Sequence, residues 1–233
     1  MGADPRSRLI VALDVATPAS ALEWVGRLGD DVWFYKVGLE LFVAAGPAIV
    51  KELVDRGKRV FVDLKLHDIP NTVGSTCRVL AQSGASMATV HASGGTAMLR
   101  AAAEAVAGSP LRLLAVTVLT SLGQSDLLAD GQSLTVEQLV EARASLARTS
   151  GIHGVVCSPL EAERARRILG RDGLVVTPGV RPAGPHHDDQ QRTATAARAI
   201  EAGASHVVVG RPILQAQDPL AAVRGLLAEL RDP

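Results

Sequence analysis

The sequence has few cysteines, few aromatic residues and no excess of either charge. Only two of the 233 residues are cysteine and 3% are aromatic, while 24 basic residues balance 24 acidic ones. Cys77 and Cys157 show no CxxC or metal-ligand spacing, which predicts reduced, buried thiols in a reducing compartment. Because the formal net charge is zero, no broad field attracts nucleic acid or an anionic membrane, and an anionic ligand would need a local pocket.

Long hydrophobic runs are also missing. The N-terminal segment MGADPRSRLIVALD lacks the apolar core of a signal peptide, because Asp14 closes the run after five residues. No apolar run approaches the roughly 20 residues that a helix needs to cross a bilayer. Since 47% of the residues are apolar, the chain can still bury a large core. We therefore expect a soluble cytoplasmic protein.

Lysine is scarce as well. Only four of the 24 basic residues are lysines, namely Lys36, Lys51, Lys58 and Lys65. A lysine can lose its proton when its surroundings change its pKa, whereas an arginine effectively cannot. Lys51 and Lys58 lie around a predicted helix end and need no special role. Lys36 and Lys65 each follow strand-like residues, which makes these two the candidates for chemistry.

Short apolar, β-branched segments alternate with longer segments of helical spacing along the whole chain. The predicted helices include residues 41–57, 71–84, 96–108, 135–151 and 219–232. The predicted strands are residues 8–14, 32–37, 59–65, 85–92, 112–119, 153–158, 173–179 and 206–211. Strands that alternate with helices indicate right-handed βαβ units and a parallel sheet.

Eight such units predict an α/β fold, a (β/α)₈ TIM barrel, with a single domain over residues 1–233 and an active site at the C-terminal ends of the strands. A doubly wound open sheet is the alternative, because periodicity does not show closure. Two stretches interrupt the pattern as irregular loops, residues 121–134 after the fifth strand and residues 180–193 after the seventh. Loops of this length in a compact domain are usually functional or disordered, and both follow strand C-termini.

The segment FVDLKLHDIPNTV, residues 61–73, crowds charges at the end of an apolar strand. The strand period of two places Asp63 and Lys65 on the same face. Two charges that face the inside of a barrel have to pair, and such a pair could simply neutralise itself at the rim. We expect Lys36 and Asp68 to join them, and a network of four charges favours a reaction centre over a salt bridge.

The last two predicted strands indicate a phosphate site. The segments VVTPGVR and HVVVGRP each place a glycine at a strand end with an arginine close behind it. Backbone N–H groups at such turns, together with a guanidinium fork, bind phosphate well. Barrels frequently bind phosphate with the loops after strands seven and eight. A phosphorylated substrate is therefore expected, although turn glycines beside surface arginines are the simpler alternative for either segment alone.

The histidines give weaker signals. His186 and His187 precede two aspartates, but adjacent side chains in one loop seldom reach the same ion, and a solvated lid is favoured over a metal site. His91 at a strand end is either a pocket residue or a core histidine, and the core position is slightly favoured.

These motifs resemble the orotidine 5′-phosphate decarboxylase family in its bacterial form. The segment VFVDLKLHDIPNTV fits the family pattern Asp-x-Lys-x-x-Asp-Ile-Pro-x-Thr throughout. The segments VALDVAT, FYKVGLELF, VTVLTS, VTPGVRP, DDQQR and VVVGRPI extend the resemblance along essentially the whole chain.

The resemblance implies a homodimeric barrel that converts orotidine 5′-phosphate to UMP and CO₂, the last step of de novo pyrimidine synthesis, without a metal or an organic cofactor. It implies a catalytic network of Lys36, Asp63, Lys65 and Asp68. In this network Lys65 delivers a proton to C6, and Asp68 reaches the neighbouring subunit's site. The implied substrate contacts are Asp14 and Lys36 for the ribose, Ile69 and Thr72 across the interface, Thr120 for the pyrimidine edge, and Arg181, Gln190, Gly210 and Arg211 for the phosphate.

Two other functions fit parts of the sequence. The 3-keto-L-gulonate 6-phosphate decarboxylases and hexulose-phosphate synthases share the Asp-x-Lys-x-x-Asp pattern, but they depend on Mg²⁺ and stabilise an enediolate. The HDIPNT continuation and the VTVLTS segment favour the nucleotide enzyme instead. A non-catalytic nucleotide sensor is the third possibility, and it would have no need for Lys65.

Overall fold

Eight parallel strands close into a barrel in the computed structural model, which describes residues 4–181 and 193–231. The strands are β1 (Leu9–Ala12), β2 (Phe34–Gly38), β3 (Arg59–Leu66), β4 (Met87–His91), β5 (Arg112–Val116), β6 (Gly154–Val156), β7 (Leu174–Thr177) and β8 (His206–Val209). Each strand pairs with the next in the sequence, and β1 also pairs with β8. The predicted TIM barrel is therefore confirmed, and the open sheet is excluded.

Helices connect the strands and surround the barrel. They are α1 (Pro18–Leu28), α2 (Leu39–Ala45), α3 (Ala48–Asp55), α4 (Pro70–Gln82), α5 (Gly95–Ala105), α6 (Gln124–Ala129), α7 (Val136–Thr149), α8 (Ala162–Leu169), α9 (Ala196–Glu201), α10 (Arg211–Leu214) and α11 (Pro219–Arg231). None of the helices in the described part of the chain has the length and apolarity that a bilayer crossing needs.

Two predicted connections differ from the structure. The single helix predicted over residues 41–57 is split into α2 and α3, because Gly46 adopts a φ of 64° and Pro47 follows it. The irregular loop predicted over residues 121–134 contains α6. The carboxylate of Asp126 accepts a hydrogen bond from the Gly123 N–H at 2.8 Å and so caps this helix.

The core has two layers on either side of the barrel wall. Alternate strand residues fill the inside of the barrel, and they are Ile10, Ala12, Phe34, Phe61, Met87, Leu114, Val176 and Val208. Their neighbours along the strands, such as Val60 and Val62, pack outwards against the helices. Cys77 and Cys157 are both buried, and burial raises the pKa of the Cys77 thiol to about 11. The inner layer fills the barrel beneath its mouth and leaves polar side chains at the C-terminal ends of the strands.

Candidate active site

A cavity of about 270 Å³ opens at the C-terminal ends of the strands. Residues from β1, β2 and β3 form one side of it, and the segments that follow β5, β7 and β8 form the other. It brings together most of the residues selected from the sequence, namely Asp14, Lys36, Asp63, Lys65, Thr120, Arg181, Gly210 and Arg211. The cavity therefore has a charged side and a side built from loops that contain glycine and arginine.

Four charged residues of alternating sign form a chain along the charged side. The Lys36 Nζ lies 3.0 Å from the Asp14 Oδ1 and 3.8 Å from the Asp63 Oδ2. The Lys65 Nζ lies 3.0 Å and 2.9 Å from the two carboxylate oxygens of Asp63. The side chains of Lys36 and Asp63 are each only 13% exposed. Every ion in this partly buried chain contacts an ion of opposite sign, and this contact offsets the cost of removing its charge from water.

Lys65 reaches this position through an unusual backbone conformation. Its φ of 52° makes it the one non-glycine residue with a positive φ in the described part of the chain. A bulge accompanies it, since the register between β3 and β4 shifts between Val62 and Leu66. A left-handed backbone at such a residue costs on the order of 1–3 kcal/mol and is most often found at functional sites. The predicted pair of Lys65 with Asp63 forms. It forms because the strand bulges at this point, whereas the prediction assumed a regular strand with a period of two.

Thr89 is a site residue that the sequence analysis missed. It lies in β4, is fully buried, and forms hydrogen bonds with both the Lys65 backbone N–H and the Asp63 carboxylate. A threonine within an apolar, β-branched segment looks like an ordinary strand residue. Only the register of the bulge identifies it, because the bulge decides which β4 side chain meets Asp63.

The structure does not bring Asp68, Ile69 and Thr72 into the cavity of their own chain. Asp68 is exposed just before α4, where its Oδ1 accepts a hydrogen bond from the Ile69 N–H at 2.6 Å. The side chain of Ile69 is 66% exposed, and Thr72 is exposed in the first turn of α4. The expectation that Asp68 joins the charged network therefore does not hold within one chain.

A second, smaller cavity of about 160 Å³ is lined by the same charged residues. Lys36, Asp63 and Lys65 line it together with Gly38 and Leu39 at the start of α2. Exposed apolar side chains lie on the same elements, with Leu39 56% exposed and Val43 80% exposed. The charged chain is thus accessible from a surface that also carries exposed apolar groups.

The other side of the main cavity has the features expected of a phosphate site. Gly179, two residues after the end of β7, adopts a φ of 79°, and Arg181 is buried two residues later. After β8, Gly210 lies so close to Asp14 that an added Cβ would be 3.0 Å from the Asp14 Oδ2. Arg211 follows as the first residue of α10. Gln190, His186 and His187 lie outside the described residues, as does most of the predicted 180–193 loop.

The segment after β5 contributes the third part of the wall. Thr120 and Ser121 line the main cavity, whereas the rest of the 121–134 segment does not. Gln124 attaches this segment to α7, since its side chain bonds the backbone of Leu134 and Val136 at 3.3 Å and 3.1 Å. Gln124 therefore links the start of α6 to the start of α7, next to the residues that line the cavity.

His91 lies at the end of β4 but does not line the cavity. Its ring packs against His67 at 5.4 Å between ring centroids. Burial lowers the pKa of His91 below its usual value, and electrostatic interactions with His67, Lys65 and Arg143 lower it further. His91 is half-buried beside the charged chain and outside the cavity lining, so neither the pocket position nor the core position predicted from the sequence is confirmed.

Comparisons with known proteins agree along nearly the whole chain. A model of the Orotidine 5′-phosphate decarboxylase / HUMPS family matches residues 7–226. The Orotidine 5′-phosphate decarboxylase of Rhodopseudomonas palustris (strain HaA2) is 53% identical over 230 residues, which are 98% of this chain and 97% of that protein. The protein of the same name from Nitrosospira multiformis is 48% identical over 229 residues, which are 98% of this chain and 95% of that protein.

Solved structures show the same similarity. The crystal structure of Orotidine 5′-phosphate decarboxylase from Lactobacillus acidophilus superposes with a TM-score of 0.84 at 41% identity, and the match covers 96% of this chain and 99% of that one.

Proposed function

The chain belongs to the orotidine 5′-phosphate decarboxylase / HUMPS family, and we propose that it converts orotidine 5′-phosphate to UMP and CO₂ in de novo pyrimidine synthesis. The observation that carries this proposal is the chain of alternating charges from Asp14 to Lys65 inside a cavity whose other side suits a phosphate. A substrate with a phosphate at one end and a carboxylate at the other matches this distribution of groups.

Lys65 is the group that completes the reaction. When the bond between C6 and the carboxylate breaks, CO₂ departs and its electron pair remains in an sp² orbital at C6, where no π system can absorb it. The Lys65 ammonium stabilises this charge as it develops and then transfers a proton from Nζ to C6. The neutral amine regains its proton from solvent before the next turnover.

Asp63 has two tasks in this scheme. With contacts of 2.9 and 3.0 Å to Nζ, it keeps the Lys65 ammonium charged and oriented. It also lies near the place of the departing carboxylate, where repulsion between two anions disappears as CO₂ becomes neutral. Such repulsion would destabilise the bound substrate, and the orientation of Lys65 is the task on which the proposal depends.

The remaining groups hold the substrate. Asp14 and Lys36, which are hydrogen-bonded at 3.0 Å, bind the ribose hydroxyls, and Thr120 binds the edge of the pyrimidine. Arg181, Gly210 and Arg211 bind the phosphate together with Gln190. Binding of the remote phosphate lowers the barrier at C6, because it drives closure of the loop over residues 180–193 and the exclusion of water. No metal and no organic cofactor takes part.

A homodimer completes the site. In this assembly Asp68, Ile69 and Thr72 reach the substrate bound to the neighbouring subunit. The outward position of Asp68, the smaller cavity beside Lys36 and Lys65, and the exposed apolar side chains of Leu39 and Val43 support this arrangement. Exposed apolar patches on a protein surface commonly mark such interfaces. The enzyme works as a single-domain subunit in the cytoplasm, with its site at the C-terminal ends of the strands.

The rival within the family is a Mg²⁺-dependent decarboxylase or synthase that acts on a sugar phosphate. One experiment separates the two functions: purified protein is incubated with orotidine 5′-phosphate, with and without EDTA, and UMP is quantified by chromatography. We expect equal formation of UMP in both samples. Folded protein that forms no UMP would contradict the proposal, and activity that disappears with EDTA would favour the metal-dependent rival.

A further inference from the structure

We propose that Thr89 is a positioning residue that fixes the Lys65 ammonium for proton transfer to C6, an inference that rests on the proposed function. Thr89 does not line the cavity, so it acts through the two residues that it bonds. Its hydroxyl oxygen accepts a hydrogen bond from the Lys65 N–H at 2.8 Å and donates one to the Asp63 Oδ1 at 3.0 Å.

These contacts close a ring of hydrogen bonds that begins and ends at Lys65. From the Lys65 backbone the ring passes through the Thr89 hydroxyl to the Asp63 carboxylate, and from there to the Lys65 Nζ at 2.9–3.0 Å. Both ends of one lysine residue are thus held by the same carboxylate and hydroxyl. The ammonium is therefore fixed relative to its own backbone rather than only attracted to an anion.

The direction of each hydrogen bond in the ring is determined by the chemistry of its members. The Lys65 N–H can only donate, and the ionised Asp63 carboxylate can only accept. The Thr89 hydroxyl has one proton, which therefore points at Asp63, while its oxygen faces Lys65. Thr89 is fully buried, so bulk water does not compete for either bond. The hydroxyl has a single orientation that satisfies both partners.

The bulge explains why a side chain is needed at this point. In the ladder between β3 and β4, Val62 pairs with Ala88 and Leu66 pairs with Val90. Residues 63–65 of β3 therefore stand opposite Thr89 alone. A bulge leaves extra residues without ladder partners and redirects side chains near active sites. The Thr89 hydroxyl supplies an acceptor to the Lys65 N–H within the bulge, and so it stabilises the left-handed backbone of Lys65.

Removal of this hydroxyl changes the position of the Lys65 ammonium without changing any group that binds the substrate. In Thr89→Val the side chain keeps its shape, but the Lys65 N–H loses its acceptor and Asp63 loses a donor. We expect Lys65 to relax towards an ordinary strand conformation, which moves Nζ away from the place of C6. Thr89→Ser keeps a hydroxyl at the same position and should preserve the ring.

The test compares the kinetics of Thr89→Val, Thr89→Ser and the wild type with orotidine 5′-phosphate, alongside a matched control, Thr117→Val. Thr117 is also a fully buried threonine, and its hydroxyl donates to the Val156 carbonyl at 3.0 Å, away from the charged chain.

We expect kcat of Thr89→Val to fall by roughly 100-fold, the scale of a misplaced catalytic group. KM and the inhibition constant of UMP should change little, because the residues that bind the phosphate are unchanged. The kcat of Thr89→Ser and that of Thr117→Val should stay within about threefold of the wild-type kcat, because the ring of hydrogen bonds is intact in both variants.

Three results would overturn the inference: a kcat of Thr89→Val within about threefold of the wild type, an equal loss in Thr89→Ser, or an equal loss in Thr117→Val. If Thr89→Val does not fold, Thr89→Ala removes the same hydroxyl and is expected to show the same loss of kcat. Failure of this inference differs from failure of the proposed function, because a wild-type protein that forms no UMP contradicts the function before any variant is compared.

Discussion

Arg211 separates the binding of the phosphate from the chemistry at C6. It begins α10 and lines the same cavity as Lys65, and the hydrogen bonds that hold Lys65 to Asp63 and Thr89 do not involve it. We expect Arg211→Ala to lower kcat/KM by at least roughly 100-fold, equivalent to about 2.7 kcal/mol of transition-state stabilisation. Steady-state kinetics measures this loss, and Arg27→Ala at the exposed end of α1 is the control. Wild-type kcat/KM in Arg211→Ala would contradict the phosphate assignment.

His206 makes the stability of the fold depend on pH. Part of the residue reaches the surface at the start of β8, but its Nδ1 is enclosed and has no hydrogen-bond partner among residues 4–181 and 193–231. Burial, followed by the nearby charges of Arg59 and Arg8, lowers the pKa of His206 from 6.5 to about 4. The unfolded chain therefore binds a proton at a higher pH than the folded protein does, and the stability that is present above pH 6.5 is lost as the pH falls towards 4.

The contribution of His206 to this loss is at most about 3.5 kcal/mol, since its pKa falls from 6.5 to about 4 and each unit of pKa is worth about 1.4 kcal/mol. Urea unfolding at pH 7.5 and pH 4.5 measures it, with His206→Leu as the comparison. We expect the variant to lose less stability than the wild type between these two pH values. Equal losses in the two proteins would show that other groups cause the pH dependence.

At the scale of elements, Arg166 joins α8 to the segments that precede β7 and β8. Its guanidinium donates to the carbonyls of Gly203, Gly170 and Gly173 at 2.9, 2.7 and 2.6 Å and to the Ser205 Oγ at 2.7 Å. A lysine cannot replace this planar fork, because the three N–H donors of its ammonium all lie on one nitrogen. The segments before β7 and β8 are thus held together by one side chain.

We expect Arg166→Ala to lower the free energy of unfolding by about 3 kcal/mol, since it removes several hydrogen bonds to a charged group. Arg166→Lys should recover less than half of that loss. Arg167→Ala, which alters the exposed neighbouring arginine, is the matched control. A change of less than about 0.5 kcal/mol in urea unfolding of Arg166→Ala, typical of an ordinary surface position, would contradict this role.

The elements also show how far the sequence predicts the fold. All eight strands follow from apolar, β-branched segments, because a parallel barrel buries both faces of its strands. The six-residue helix α6 is too short to show helical periodicity, and its capping residue Asp126 looks in the sequence like an ordinary polar loop residue. The bulge at residues 62–66 is also absent from the pattern, because it depends on Thr89 in a different strand.

At the scale of the whole molecule, the segment over residues 61–73 places its charged side chains in two different locations. Asp63 and Lys65 lie inside the barrel, whereas Asp68 lies outside it, three residues further along the chain. Sequence spacing selected all three residues, but it did not show where the Asp68 side chain lies, because Asp68 follows the end of β3 and the strand period no longer applies to it. The family resemblance, and not the geometry of one subunit, assigns Asp68 to the neighbouring site.

A mixing experiment tests this assignment. We expect Lys65→Ala and Asp68→Asn to be inactive as separate homodimers. When the two are mixed and refolded together, half of the dimers combine one chain of each kind, and each of these has one site with both native residues. Symmetry then predicts about a quarter of the wild-type activity. A mixture as inactive as its components would show that Asp68 does not act across the interface.

The central claim is that Lys65 in this cavity protonates the carbon that loses CO₂. The most direct measurement compares the rate of UMP formation from orotidine 5′-phosphate by the wild type and by Lys65→Ala, with folding checked by circular dichroism and cavity integrity checked by UMP binding. The wild type should turn the substrate over, and Lys65→Ala should bind UMP but form it at least about 1,000-fold more slowly. A folded wild type without activity, or a Lys65→Ala variant that keeps the wild-type rate, would contradict the claim.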